Sequence, residues 1–171
     1  MLIVKSIFAT ALVWFCAGVI AQDRSSGDWN VIKSVLGLQI ANVKSGENTT
    51  GVVCYLDKQV CEAYVALGNS CDDGGKYSLL LNTPTGAFPL VATCRHLSPT
   101  MKILVIEEFG QMISAFESGG EIGFATPMKN GQFKVVRFST VGATAALKDA
   151  RSLPSQVSPN TTPATRKSEY L

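Results

Sequence analysis

The feature that most constrains this chain of 171 residues is the set of cysteines that remains once an N-terminal leader is removed. An apolar run over residues 7–20 follows Lys5; it has the length of a signal-peptide hydrophobic region and is too short to span a bilayer. We therefore predict a signal peptide at residues 1–21, cleaved after Ala21. Cleavage removes Cys16 and leaves four of the five cysteines in an exported chain with no transmembrane segment.

The positions of these four cysteines predict how they pair. The first two lie in a segment typical of a β-hairpin, in which Cys54 is directly across from Cys61. The turn sequence at 83–86 joins two further predicted strands and returns Cys94 to the neighbourhood of Cys71. We therefore predict two disulfides, contributing roughly 2.5 kcal/mol for the shorter loop and roughly 3.5 kcal/mol for the longer one in the chain-entropy model.

Zinc is the alternative use of the same cysteines. Structural zinc sites are built from close Cys-x-x-Cys pairs and histidines, whereas this chain lacks such a pair and has one histidine, His96. Because four paired cysteines leave no free thiol, His96 has no nucleophile to activate. We expect His96 to be a surface residue, and we expect no metal and no cofactor.

Most of the remaining chain has the alternating or β-branched pattern of short strands. Strands are predicted from Trp29, over 35–43, in the two cysteine-containing hairpins, over 102–107, and at 121–126 and 132–138, where Asn130-Gly131 favours a tight turn.

Two segments have a helical pattern. Phe109, Met112, Ile113 and Phe116 share one helix face, and Gly119-Gly120 ends the helix. The alanine-rich segment 141–150 predicts a closing helical turn. The fold class is therefore mostly β, a disulfide-stabilised β-sandwich with one or two short helices.

The predicted sandwich spans residues 22–150, and a different composition follows it. Residues 151–171 are rich in Ser, Thr, Pro and charge, and they contain too little apolar surface to offset the entropy of ordering. We expect this C-terminal tail to be disordered, either as a solvated end or as a tether to another surface.

Charge and side-chain chemistry exclude several classes of function. A net charge of +2 is too small for the phosphate-neutralising face of a nucleic-acid-binding protein. Glu107 and Glu108 are adjacent on a predicted strand, so they point to opposite faces and cannot flank one glycosidic bond. Asp72 and Asp73 lack the spacing of a calcium site and suit a turn. The sequence therefore predicts no enzyme.

Several short motifs resemble the invasion-associated locus B family of exported bacterial periplasmic proteins. The resemblance lies in the leader, in the sequence GDWNV at 27–31, in the stretch from 93 to 120, and in a Phe-Ser strand at 138–142 followed by an Ala-Leu helix at 144–147. It implies a β-sandwich in the periplasm or at the cell surface, linked in that family to host-cell invasion, with no known catalytic residues.

These observations together favour an exported, noncatalytic protein that binds a protein or an envelope component. Tyr55 and Tyr64 lie in the first disulfide hairpin, and we predict an exposed aromatic edge there as the partner-binding surface, because tyrosine gives contact area at low entropic cost. Two alternatives stay open: a structural component of a secretion or surface assembly tethered by the tail, and an envelope hydrolase with carboxylates on distant strands.

Overall fold

A computed structural model describes residues 22–33, 37–68, 71–128 and 131–152. The signal peptide predicted at 1–21 and the tail beyond residue 152 lie outside the described residues. Within them the chain forms ten strands and two helices. The strands are β1 (Gln22–Ser26), β2 (Trp29–Lys33), β3 (Leu38–Ser45), β4 (Asn48–Tyr55), β5 (Val60–Ala66), β6 (Lys76–Thr83), β7 (Gly86–Ser98), β8 (Met101–Ile106), β9 (Glu121–Pro127) and β10 (Phe133–Ser139), and the helices are α1 (Phe109–Glu117) and α2 (Ala143–Arg151).

The ten strands form one continuous sheet in the order β1-β2-β3-β4-β5-β8-β7-β6-β9-β10, and each pair of neighbours is antiparallel. The disulfide-stabilised, mostly-β fold predicted from the sequence is confirmed. α2 is a full helix rather than a single turn, and it continues through Arg151, one residue into the predicted tail.

The sheet curves so that the β1–β2 turn approaches the end of β10. The Trp29 indole N–H donates to the Ser139 carbonyl at 3.0 Å, and the Asp28 N–H donates to the Val141 carbonyl at 3.0 Å. Gly142 makes this approach possible: its φ is +90°, and a Cβ there would overlap the Ser26 carbonyl. The curvature gives the sheet an inner face, and that face contributes strand side chains to a single large apolar cluster.

The two helices cover part of the inner face. α2 contacts β2, β3 and β4, and α1 contacts β5 and α2. The predicted apolar stripe of α1 faces the core, where the Phe116 ring meets Trp29 edge-on at 5.0 Å between centroids. We call this part, β2 to β5 with the two helices, the helix-covered region.

The disulfides join the predicted pairs. Cys54 and Cys61 are directly opposite in the β4–β5 register and are linked, and Cys71 is linked to Cys94 across 23 positions of sequence. The first bond therefore lies inside the helix-covered region, and the second ties the connection before β6 to β7.

Candidate functional site

The other part of the inner face is open and forms a cleft of about 810 Å³. We call it the lysine cleft, because three lysines are among its lining residues: Lys76, Lys102 and Lys134. Its apolar walls come from β5 and the residue after it, from β6 and β8, and from the end of β9: Val65, Leu67, Leu79, Leu104, Pro127 and Met128. Neither of the two described helices contributes a residue to its lining.

The order and direction of the strands determine where each of the three lysines lies. In the order β8-β7-β6-β9-β10 every pair of neighbours is antiparallel. Every second strand, β8, β6 and β10, therefore runs in the same direction. Lys76 is the first residue of β6, Lys102 the second of β8 and Lys134 the second of β10. On β8 and β10, Lys102 and Lys134 lie on the core-facing side, and both reach carbonyls of the connection between β5 and β6. Lys76 is on the opposite face of β6, where its ammonium meets Glu107.

The surroundings of the lysines differ. The Lys76 ammonium forms an ion pair with the Glu107 carboxylate at 3.0 Å, and this hydrogen bond lowers the pKa of Glu107. The Lys102 ammonium donates to the Cys71 carbonyl at 2.8 Å, and the Lys134 ammonium donates to the Leu67 carbonyl at 2.8 Å. These two partners are neutral, so neither charge is compensated by a carboxylate among the described residues.

The second disulfide fixes the carbonyl that holds Lys102. The bond to Cys94 anchors Cys71 against β7, the Gly74 N–H donates to the Cys94 carbonyl at 2.9 Å, and the Asp72 N–H donates to the Tyr77 hydroxyl at 2.9 Å. Cys71 is 8% exposed. One rim of the cleft is therefore attached covalently to the sheet.

Along β8 and β10, the side chains on the cleft side change from a lysine at the start of the strand to apolar residues further along it. On β8 the side chains at alternate positions are Lys102, Leu104 and Ile106, and the last two pack in the main core. On β10, Lys134 is followed at alternate positions by Val136 and Phe138, which are 8% and 1% exposed. The cleft is therefore cationic at its mouth and apolar inside.

The acidic side chains nearest this part of the sheet lie outside the described lining of the cleft. Its described lining includes no aspartate and no glutamate. Glu107 is held by Lys76 and by the Thr93 hydroxyl at 3.3 Å, and the Glu108 carboxylate accepts the Val91 N–H at 3.2 Å.

Other sequence candidates occupy structural positions. His96 is exposed on β7. Asp72 and Asp73 lie in the turn before β6, and no group of three or more His, Cys, Asp or Glu side chains in the described ranges is arranged to hold a metal ion.

The described helices are also too short or too polar to cross a membrane.

A protein of known structure has a similar architecture. The crystal structure of invasion associated protein B from Bartonella henselae matches with a TM-score of 0.53 over 75% of this chain and 95% of that one, at 13% sequence identity. The two proteins share a fold. At this identity the likeness concerns the fold alone, and it confirms the resemblance seen in the sequence motifs. No family model matches the sequence, and no curated protein does so.

The two predicted partner-binding tyrosines are not equivalent. Tyr64 is 1% exposed, so the prediction of an exposed edge is wrong at this position. Gly51 is directly across from it in the β4–β5 register, and the Tyr64 hydroxyl is hydrogen-bonded to Asn42. The ring packs with Val53, Ile103 and Val105 on the outer face, and burial raises the pKa of Tyr64 to about 12.

Tyr55 remains partly exposed at the end of β4. The Lys58 ammonium lies 5.5 Å from its ring centroid, and partial burial raises the pKa of Tyr55, with a further contribution from Glu62. Nothing brings Tyr55 and Tyr64 into one exposed surface. The lysine cleft was missed, although the lysines at the starts of alternate predicted strands were a signal for it.

Proposed function

We propose that this chain is an exported, noncatalytic binding protein of the bacterial envelope, and that the lysine cleft is where it binds an envelope component. The observation that carries the proposal is an apolar cleft of about 810 Å³ with two uncompensated ammonium groups at its mouth. Small-molecule sites are typically concave and apolar, with few polar groups and volumes of roughly 300–1,000 Å³.

Three further features support this proposal. The paired cysteines suit an oxidising compartment outside the cytosol. Among the described residues, the lining of the cleft includes no carboxylate for hydrolysis. The fold is shared with a protein named for its association with invasion; a role in invasion is included in the proposal on that likeness alone.

The test compares two tryptophan substitutions in the mature chain with both disulfides intact. Thr126 lines the cleft and is half-buried, so Thr126→Trp fills the mouth. Thr144 is exposed on α2, so Thr144→Trp is the matched control. Each protein is incubated with envelope extract, repurified and analysed by native mass spectrometry.

The wild type and Thr144→Trp are expected to retain the same bound species, and Thr126→Trp to lose it. Equal retention by all three proteins would show that the bound species occupies another surface, and this outcome would contradict the proposal.

A further inference from the structure

The charge distribution of the lysine cleft says more about its occupant than its volume does. Lys76 is neutralised by Glu107 at 3.0 Å, whereas Lys102 and Lys134 donate to neutral carbonyls. An ammonium has three N–H donors, so each of these two lysines keeps donors for a ligand. In the sequence, positions 69–70 and 129–130, which lie outside the described residues, hold Asn, Ser, Lys and Asn and no acidic residue.

We propose that the cleft binds a fatty-acid carboxylate, with its headgroup at Lys102 and Lys134 and its alkyl chain along the apolar walls. This inference rests on the proposed function and specifies the ligand class for the same site. The order of side chains along β8 and β10, lysine first and buried apolar residues after it, matches a molecule with one charged end.

The mouth favours a carboxylate over a phosphate headgroup. Phosphate recognition commonly uses bidentate arginine or convergent backbone N–H groups. The described lining contains no arginine and no helix N-terminus. An ammonium is a compact charge with rotatable donors, so Lys102 and Lys134 can each donate to a carboxylate oxygen.

The apolar walls predict how affinity depends on chain length. Burial of a methylene contributes about 0.8 kcal/mol, so each methylene that enters the cleft strengthens binding about fourfold. The cleft is continuous with core residues such as Leu79 and Leu104, and the chain-length effect therefore persists until the alkyl group fills the available space.

The experiment is isothermal titration of the full mature chain, below the micelle concentration, with octanoate, decanoate and dodecanoate. Dodecanol, dodecyl phosphate and dodecyltrimethylammonium are the headgroup controls. Lys102→Met/Lys134→Met removes both charges and keeps side-chain length. Lys44→Met/Lys148→Met is the matched control, since both lysines are exposed and outside the cleft.

We expect affinity to rise from octanoate to dodecanoate and to fall about tenfold for each cleft lysine removed, since a hydrogen bond to a charged group is lost each time. The control pair should leave it unchanged, and the cationic amphiphile should not bind. The double variant should bind dodecanol as the wild type does, which shows that the cleft is intact.

Three results would overturn the inference: dodecanol binding as tightly as dodecanoate, dodecyl phosphate binding more tightly than dodecanoate, or unchanged dodecanoate affinity in the cleft variant. In each of these the ligand class is wrong, and the proposed function is decided separately by the retention experiment with Thr126→Trp. If no amphiphile binds while Thr126→Trp still abolishes retention of an envelope component, the ligand class alone is wrong. If no amphiphile binds and the wild type also retains no envelope component, both proposals fail.

Discussion

The helix-covered region and the lysine cleft occupy one inner face of one sheet, and they differ in what lies over them. Over β2 to β5, α1 and α2 supply buried side chains such as Phe116 and Leu147, each with 0% exposure. Over the open part of β6, β8, β9 and β10 no described helix residue lines the cleft. The same apolar alternation therefore produces a closed core in one region and an open cleft in the other.

This contrast shows how a small β protein can keep a cleft without giving up its stability. The helix-covered region has the aromatic packing of Trp29 with Phe116, and the cleft rim has the Cys71–Cys94 bond in place of a covering helix. Each disulfide belongs to one region, so the regions can be perturbed separately.

The largest expected effect is the loss of packing in the helix-covered region. Phe116→Ala should lower the free energy of unfolding by about 3–5 kcal/mol, because it opens a cavity beside Trp29. Leu104→Ala on the cleft wall should lower it by less than about 2 kcal/mol, because Leu104 is half-buried and next to open space. Urea denaturation measures both, and equal losses would remove the distinction between the regions.

The next effect separates the two disulfides. Replacing Cys71 and Cys94 by serine should cost about 3.5 kcal/mol, and replacing Cys54 and Cys61 about 2.5 kcal/mol, since the loops close 23 and 7 positions of sequence. Only the first change should also weaken ligand binding, because only Cys71 lines the cleft. Denaturation midpoints and dodecanoate titration of each variant test this; a binding loss in both double variants would argue against the assignment.

Alkaline pH tests the strand that the two regions share. Tyr64 lies on β5, and its folded-state pKa of about 12 exceeds the usual value of roughly 10. Its stabilisation is therefore complete below pH 10 and is lost as the pH rises from about 10 to about 12, by an amount on the order of 2–3 kcal/mol.

Tyr64→Phe has no phenol to ionise and should lack this part of the alkaline loss. Stability curves of the wild type and the variant, measured from pH 8 upward, should therefore be parallel below pH 10, and between about pH 10 and 12 the wild-type curve should fall relative to that of the variant. Parallel curves over the whole range would show that the phenol is not buried.

The smallest effect on stability is expected at the cleft lysines. Lys102→Met/Lys134→Met should change the free energy of unfolding by less than about 1 kcal/mol, because both ammonium groups have neutral partners and are half-buried rather than buried. Thermal unfolding measures the change. A loss as large as that of Phe116→Ala would assign these lysines to structure rather than to binding.

Sequence reasoning worked where the determining contacts are local. The β4–β5 hairpin set the Cys54–Cys61 pairing, and the spacing of apolar residues gave α1. Tyr64 was misplaced because its burial depends on Ile103 and Val105 from a distant strand.

The cleft depends on contacts that are still less local. Lys102 and Lys134 line one cleft only because β8, β7, β6, β9 and β10 lie in that order, and hairpin signals do not specify how hairpins are arranged in the sheet. The sequence shows lysines at the starts of predicted strands, but which of these lysines line the same cleft depends on the order of the strands in the sheet.

A crystal structure of the mature chain with dodecanoate tests the central claim most directly. We expect the carboxylate to lie within ~3 Å of the Lys102 or Lys134 Nζ, with the alkyl chain against Leu104 and Leu79. An ordered ligand on another surface, or one with its carboxylate inside the cleft and its chain toward solvent, would contradict it.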